Sequence, residues 1–191
     1  MPDKKEMDKL YRQFMEQAEA ISARVYRVCD PAGAGVRLAA IIKQVGAGKI
    51  AAARSELVDK CLDLIAAGGI EVCTGDLRKH CEDAGLGLSE VDLAIAGTGT
   101  LAQDSTDINQ RLVSTLPPVH AALVRTERLV QHFSDAMDML NSRRANLPGY
   151  ISFISGPSRT ADIERVLTIG VHGPEQLHII FVDEAGDGSG D

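Results

Sequence analysis

The sequence predicts an α/β fold in three layers: a mostly parallel sheet with helices on both faces. From residue 49 onward, short apolar runs alternate with amphipathic stretches at helical spacing, the order expected of a β-α-β chain. The apolar runs at residues 119–124 and 177–182 are nearly continuous, as in strands buried on both faces. At 191 residues, 45% apolar and 25% charged, the chain matches one ordinary domain that buries roughly 70% of its unfolded surface.

From the amino terminus, residues 4–27 read as one helix with Leu10, Phe14, Ile21 and Val25 along a single face. Pro31, Gly33 and Gly35 break it, and residues 36–45 read as a second helix, ended by Gly46 and Gly48. These helices make an N-terminal extension, residues 1–48, packed on a core of residues 49–184; the Gly/Asp-rich residues 185–191 read as a disordered tail. The core opens with a strand at 49–53 and a helix at 55–67, capped by Ser55 and closed by Gly68-Gly69. A strand at 70–73, a helix through 76–84 and a strand at 91–96 follow, the last running into Gly97. Residues 107–114 form a short helix, Pro117-Pro118 stop it, and 119–124 is a strand. Thr126 caps a helix with Leu129, Val130, Phe133, Met137 and Leu140 on its apolar face. After a loop at 141–148 comes a strand at 150–154. A helix at 160–169 follows, carrying Ile163, Val166 and Leu167, with Val171 in phase beyond it. The strand at 177–182 is the last element.

Composition excludes several functions. A net charge of −7 repels phosphodiester backbones, and 4% aromatic residues leave few rings to stack on bases, so nucleic acid is not an expected partner. No apolar run approaches the roughly 20 residues that cross a bilayer. The charged start, Met1 to Lys9, lacks a signal-peptide core, and a cytoplasmic location is expected. The cysteines at 29, 61, 73 and 81 form no C-x-x-C pair, so the spacing fits neither a zinc ribbon nor an iron–sulfur cluster. Neither a metal nor a cofactor is expected, and the thiols read as small buried side chains.

In parallel sheets ligands collect beyond the carboxyl ends of strands, and two loops are expected there. Gly97, Thr98, Gly99 and Thr100 follow a strand and either cradle an anion with backbone N–H groups or make a tight turn. Ser155, Gly156, Ser158, Arg159 and Thr160 lie between a strand and a helix, where free amides and a helix dipole favour an anion. Arg159 would grip a carboxylate or phosphate there; otherwise it pairs with Asp162 or Glu164. Asp104 and Asp107 read as acids, metal ligands or solvated carboxylates at a helix start. His172, in Val-His-Gly-Pro, is a candidate general acid or base, and His120 after Pro117-Pro118 is a second; both also count as ligand candidates. Either histidine would equally serve to hold its loop. No Ser-His-Asp order or H-E-x-x-H helix is present.

Four segments together carry a resemblance: Asp92-Leu-Ala-Ile-Ala-Gly-Thr-Gly-Thr-Leu, Leu116-Pro-Pro-Val-His, Ser155-Gly-Pro-Ser-Arg-Thr-Ala-Asp-Ile-Glu and Gly170-Val-His-Gly-Pro. They resemble the LutC/YkgG-type lactate-utilisation proteins, which contain the LUD domain, over roughly residues 49–184. The resemblance implies a fold of the NagB/RpiA/CoA-transferase group, which also holds formyltetrahydrofolate cyclo-ligases. It implies a place in oxidation of L-lactate to pyruvate beside an iron–sulfur oxidoreductase and a larger iron–sulfur LUD subunit. Relatives carry Ala-Glu-Thr-Gly-Thr (or Ser) where this chain has Ala96-Gly97-Thr98-Gly99-Thr100, so any role of that acid is absent here.

The resulting expectation is a non-redox accessory subunit that binds a small anion or a partner through the 97–100 and 155–172 loops. The alternative is a stand-alone enzyme acting on a small carboxylate or phosphorylated substrate. The apolar stripe of the first helix packs on its own domain or docks on another chain, so a homo-oligomer is also considered.

Overall fold

The computed structural model describes residues 3–66, 68–142, 148–160, 168–169 and 172–183. Helix α1 spans Lys4–Ala20, with Asp3 accepting from the Glu6 amide at 2.8 Å and Leu10, Phe14 and Ala18 on its buried face. It does not continue to residue 27. Ser22 takes a left-handed φ of 71°, and Arg24–Val28 is strand β1. The β-formers Val25, Tyr26 and Val28 suit a strand, and the exposed ladder of the last strand outcompetes a further helical turn. Helix α2 spans Pro31–Val45, five residues earlier than expected, because Pro31 is a good first helical residue and Asp30 caps it through the Gly33 amide at 2.7 Å. Gly35 lies inside this helix, where a β-carbon would stand 2.7 Å from Leu64 Cδ1 of the neighbouring helix.

Next come β2 (Lys49–Ala52), α3 (Glu56–Ala66), β3 (Glu71–Cys73), α4 (Leu77–His80) and β4 (Leu86–Glu90). They are followed by β5 (Leu93–Ile95), β6 (Thr100–Asp104), α5 (Ile108–Thr115) and β7 (Val119–Arg125). The chain continues with β8 (Leu129–Val130), α6 (Phe133–Ser142), β9 (Ile151–Ile154), β10 (Arg159–Thr160), β11 (Thr168–Ile169) and β12 (Gln176–Val182).

Six strands form a wholly parallel sheet in the order β1-β12-β7-β4-β2-β3. Helices α2 and α3 cover one face, with Leu38, Ile41, Ile42, Leu57 and Ile65 against Ile50, Leu86, Leu88, Leu123 and Ile180. On the other face α4 and α5 set Leu77, Cys81 and Val113 over Ala51 and Ala53. Beside them, α1 packs Phe14 edge-on against Phe181, with ring centroids 5.0 Å apart. The expected α/β class and its mostly parallel sheet are present. Because β1 is an edge strand of this sheet, the sheet draws on both sides of residue 48.

Several elements differ from expectation. A second sheet, β8-β5-β6-β9, sits on the α1 side, and within it β6 runs antiparallel to both β5 and β9. The 91–96 run therefore enters this second sheet as β5, and the main-sheet strand is the preceding Leu-Gly-Leu-Ser-Glu, whose glycine and serine conceal it. Thr126 opens a 3₁₀ turn and β8 instead of a helix, and α6 begins at Phe133. The expected helix over 160–169 is not continuous, since Arg159 pairs with Ile169 and Thr160 with Thr168 in an antiparallel ladder. Helical residues eight apart would be separated by about 12 Å. Ile163, Val166, Leu167 and Val171, with the expected tail at 185–191, lie outside the described residues.

Candidate functional site

The order of the parallel strands reverses beside β2. From β2 the chain passes through α3 on one face to β3 at the sheet edge. It then returns through α4 on the other face to β4, on the far side of β2. The carboxyl ends of β2 and β4 thus flank a switch point, where open α/β sheets bind ligands. A cleft of ≈ 530 Å³ opens there. Its walls are Ser55 after β2, Glu90 and Asp92 at and beyond the end of β4, Arg125 ending β7, Arg128, Asp104 and Asp107, and Gln110 of α5.

Backbone amides fix most of its carboxylates. Asp92 accepts from the Asp104 amide at 2.6 Å, Asp104 from the Thr106 amide at 2.9 Å, and Asp107 caps α5 through the Asn109 amide at 2.9 Å. Ser55 caps α3, accepting from the Val58 amide at 3.1 Å. Arg125 bonds Glu90 at 3.0 Å and lies 3.7 Å from Glu56 in the first turn of α3. Lys60, and then Arg125, hold the Glu56 carboxyl below its ordinary pKa. Arg128 lies 3.5 Å from Glu127 and keeps 37% of its side chain exposed. With four carboxylates and two guanidiniums among its lining residues, the cleft offers anchored acceptors beside planar cations.

A buried polar chain runs inward from the cleft. Gln103 Nε2 donates to Gln110 Oε1 and to Ser89 Oγ, each at 3.0 Å, and Ser89 Oγ meets His120 Nε2 at 2.9 Å. Helix α5 can approach β4 this closely because residue 87 is glycine; a β-carbon there would stand 1.9 Å from the Val113 carbonyl oxygen. His120 is fully buried, and burial pushes its pKa down to about 4, so it is neutral at pH 7. Ser89 and His120 are both fully buried, which removes them from direct contact with a ligand.

The loops singled out by sequence come together at the opposite rim. Gly97 to Thr100 turn the β5–β6 hairpin, and the Gly97 amide donates to Gln131 O while those of Thr98 and Gly99 donate to Ile95 O. Gly99 takes φ 63° against Ala18, and Gly156 takes φ 73° against Ile21, both at the carboxyl end of α1. Thr100 Oγ1 meets Ser155 Oγ at 2.8 Å. The Ser158 amide donates to Pro174 O at 2.8 Å, and its hydroxyl accepts from the His172 amide at 3.4 Å. The side chain of His172 is exposed. These loops were expected beyond the carboxyl ends of parallel strands. They lie instead at the amino-terminal rim, because β6 and β9 are antiparallel: Asp104 reaches the cleft while Thr100 and Ser155 sit at the far end. Arg159 and Thr160 form β10.

A family model for the LUD domain matches residues 11–182. This chain belongs to the LUD domain family. "Lactate utilization protein C 1" of Bacillus mycoides is 35% identical over 109 residues, covering 56% of this chain and 47% of the relative. "Lactate utilization protein C" of Macrococcus caseolyticus is 31% identical over 154 residues, covering 77% and 67%. The chain spans about half the length of the first of the curated relatives it matches. Among solved structures, a DUF162 family protein from Deinococcus radiodurans superposes with a TM-score of 0.66 at 20% identity, covering 92% of this chain and 98% of that one. That likeness concerns the fold. No helix among the described residues of this LUD domain is long and apolar enough to cross a membrane.

Sequence reasoning missed the LUD cleft residues Glu90, Arg125 and Arg128. A usable signal existed: Arg125 directly follows the strongest strand, and charged residues at the carboxyl end of a buried parallel strand face a ligand crevice. Glu90 was hidden with β4.

Proposed function

We propose that this LUD-domain chain serves L-lactate utilisation in the cytoplasm, as a non-redox component that binds a small hydroxy- or oxo-carboxylate in the carboxyl-rim cleft. The observation that carries this reading is the juxtaposition, at the switch point, of the Arg128 guanidinium with the amide-held carboxylates of Asp92 and Asp104. A 2-hydroxy acid presents the complement: a carboxylate for the planar cation and a hydroxyl that donates to a carboxylate oxygen. The relatives' printed names support the same substrate class. Electrons pass elsewhere in this reading, through an iron–sulfur oxidoreductase and a larger iron–sulfur LUD subunit as partners.

Calorimetric titration tests the binding step. L-lactate should bind, pyruvate more weakly because it lacks the hydroxyl donor, and Arg128→Ala should lose ~10-fold or more in affinity for both. Deletion of the gene in its native host should abolish growth on L-lactate, with rescue by the unmodified chain and not by Arg128→Ala. Unimpaired growth of the deletion strain would overturn the assignment.

A second reading, a stand-alone enzyme acting on a small carboxylate or phosphorylated substrate, is favoured by the cleft's place at the switch point and its several carboxylates. Turnover by the isolated chain would select it.

A further inference from the structure

A mixed donor cluster lies along the edge strand β3 and the start of β2, among residues that do not line the rim cleft. The parallel register sets Lys49 beside Glu71 and Ala51 beside Cys73. Side chains two residues apart share a face, so Glu71 and Cys73 both point to the side that α4 covers. His80 ends α4, and Asp83 follows in the next turn. The ligand atoms of Glu71, Cys73 and His80 all lie within 4.8 Å of one another.

A cation already sits among them. Lys49 Nζ is 2.7 Å from both oxygens of Asp83, 3.0 Å from His80 Nδ1 and 3.7 Å from Glu71 Oε1, on a side chain only 14% exposed. Toward this ammonium His80 Nδ1 serves as an acceptor, the state in which imidazole ligates a metal. An imidazole, a thiol and two carboxylates form a borderline-soft set that suits Zn²⁺ and not the hard cations, which prefer oxygen alone. Glu71 and Cys73 are placed by a sheet edge, His80 by the end of α4 and Asp83 by the turn after it, whereas the ammonium rides on a flexible four-carbon stem that can withdraw.

We propose that Glu71, Cys73 and His80 form a binding site for Zn²⁺ or a similar transition-metal ion, which takes the place of the Lys49 ammonium and draws in Asp83, the carboxylate that now holds Lys49, as a fourth donor. The Cys73 thiol now donates to Glu71 Oε1 at 3.4 Å. Ligation needs the thiolate, so one proton passes to solvent for each ion bound, and uptake strengthens as pH rises. Lys49 swings outward still protonated. The ion ties β3, a three-residue edge strand, to α4, which covers the same face. The spacing of the cysteines hid this site, because its ligands come from a strand, a helix end and the turn after it, and include one thiol.

The test uses the full, reduced chain titrated with Co²⁺. One equivalent should produce a thiolate-to-cobalt absorption band that Zn²⁺ then displaces. Cys73→Ser should abolish the band, His80→Ala should weaken uptake ~10-fold or more, and Lys49→Met should tighten it. In the unmodified protein Zn²⁺ should slow alkylation of Cys73 and leave the exposed Cys29 unaffected. A band that survives Cys73→Ser, or Cys73 alkylation indifferent to Zn²⁺, overturns the site. Lys49→Met that binds Co²⁺ no tighter overturns the exchange with the ammonium.

Discussion

Gly99 presses on Ala18 so closely that a β-carbon at residue 99 would stand 2.4 Å from the Ala18 amide nitrogen. Residue 99 also holds φ 63°, a region L side chains rarely adopt. Both demands fall on one residue, so Gly99→Ala should destabilise the fold by at least about 2 kcal/mol in urea unfolding. Gly97→Glu should cost less. Residue 97 has no positive φ, and its β-carbon would meet the Gln131 carbonyl oxygen at 3.0 Å and His132 Nδ1 at an ordinary 4.0 Å. Equal losses at the two positions would refute the clasp between the hairpin turn and α1.

The hydroxyl pair between Thr100 and Ser155 ties the β5–β6 hairpin to the loop after β9. Thr100→Val should cost about 1 kcal/mol. In a double-mutant cycle, adding Ser155→Ala to Thr100→Val should cost little more, because the partner has already gone. Strict additivity would show that the two hydroxyls act independently.

His120 and His178 both have pKa values lowered by burial from 6.5 to about 4. A neighbouring positive charge, Arg24, lowers His178 further. The unfolded chain binds more protons than the folded one between pH 4 and 6.5, so stability falls as pH drops through that window. Full protonation would cost up to about 3 kcal/mol for each histidine. Urea midpoints measured from pH 7 to 4 should decline, and the slope should flatten in His120→Gln. A flat profile would mean that neither ring is held neutral.

Gly87 permits the contact that brings α5, and with it Gln110, to the cleft. Gly87→Ala should displace α5, lowering stability by at least about 2 kcal/mol and weakening L-lactate binding although Arg128 is untouched. Denaturation and calorimetry on the same sample check both effects. Stability lost with binding unchanged would separate α5 from the site.

How far the sequence could be read follows from how each segment earns its stability. Strands such as β7 and β12 are apolar on both faces, so their type and place in a parallel sheet were legible. Strand β4 was not, because Gly87 and Ser89 lower its apolar signal; their identities are set by α5 and by His120 across the sheet. The run at 91–96 was correctly read as extended, but the sheet it joins depends on pairing with β6 and β8, which no local pattern encodes. The same limit moves the two loops to the other rim. The turns at 97–100 and 155–160 do lie side by side, with Thr100 touching Ser155. Their rim depends on strand direction, and the amides of Gly97, Thr98, Gly99 and Ser158 are taken by the chain's own carbonyls.

The central claim is that the ligand site lies at the carboxyl rim and that the amino-rim loops are a clasp. The most direct measurement is calorimetric titration of L-lactate, with inorganic phosphate as a second probe, into the unmodified chain, Arg128→Ala and Arg159→Ala. Binding of L-lactate lost in Arg128→Ala and retained in Arg159→Ala is the predicted result. Binding retained in Arg128→Ala and lost in Arg159→Ala would place the ligand at the opposite rim and contradict the account.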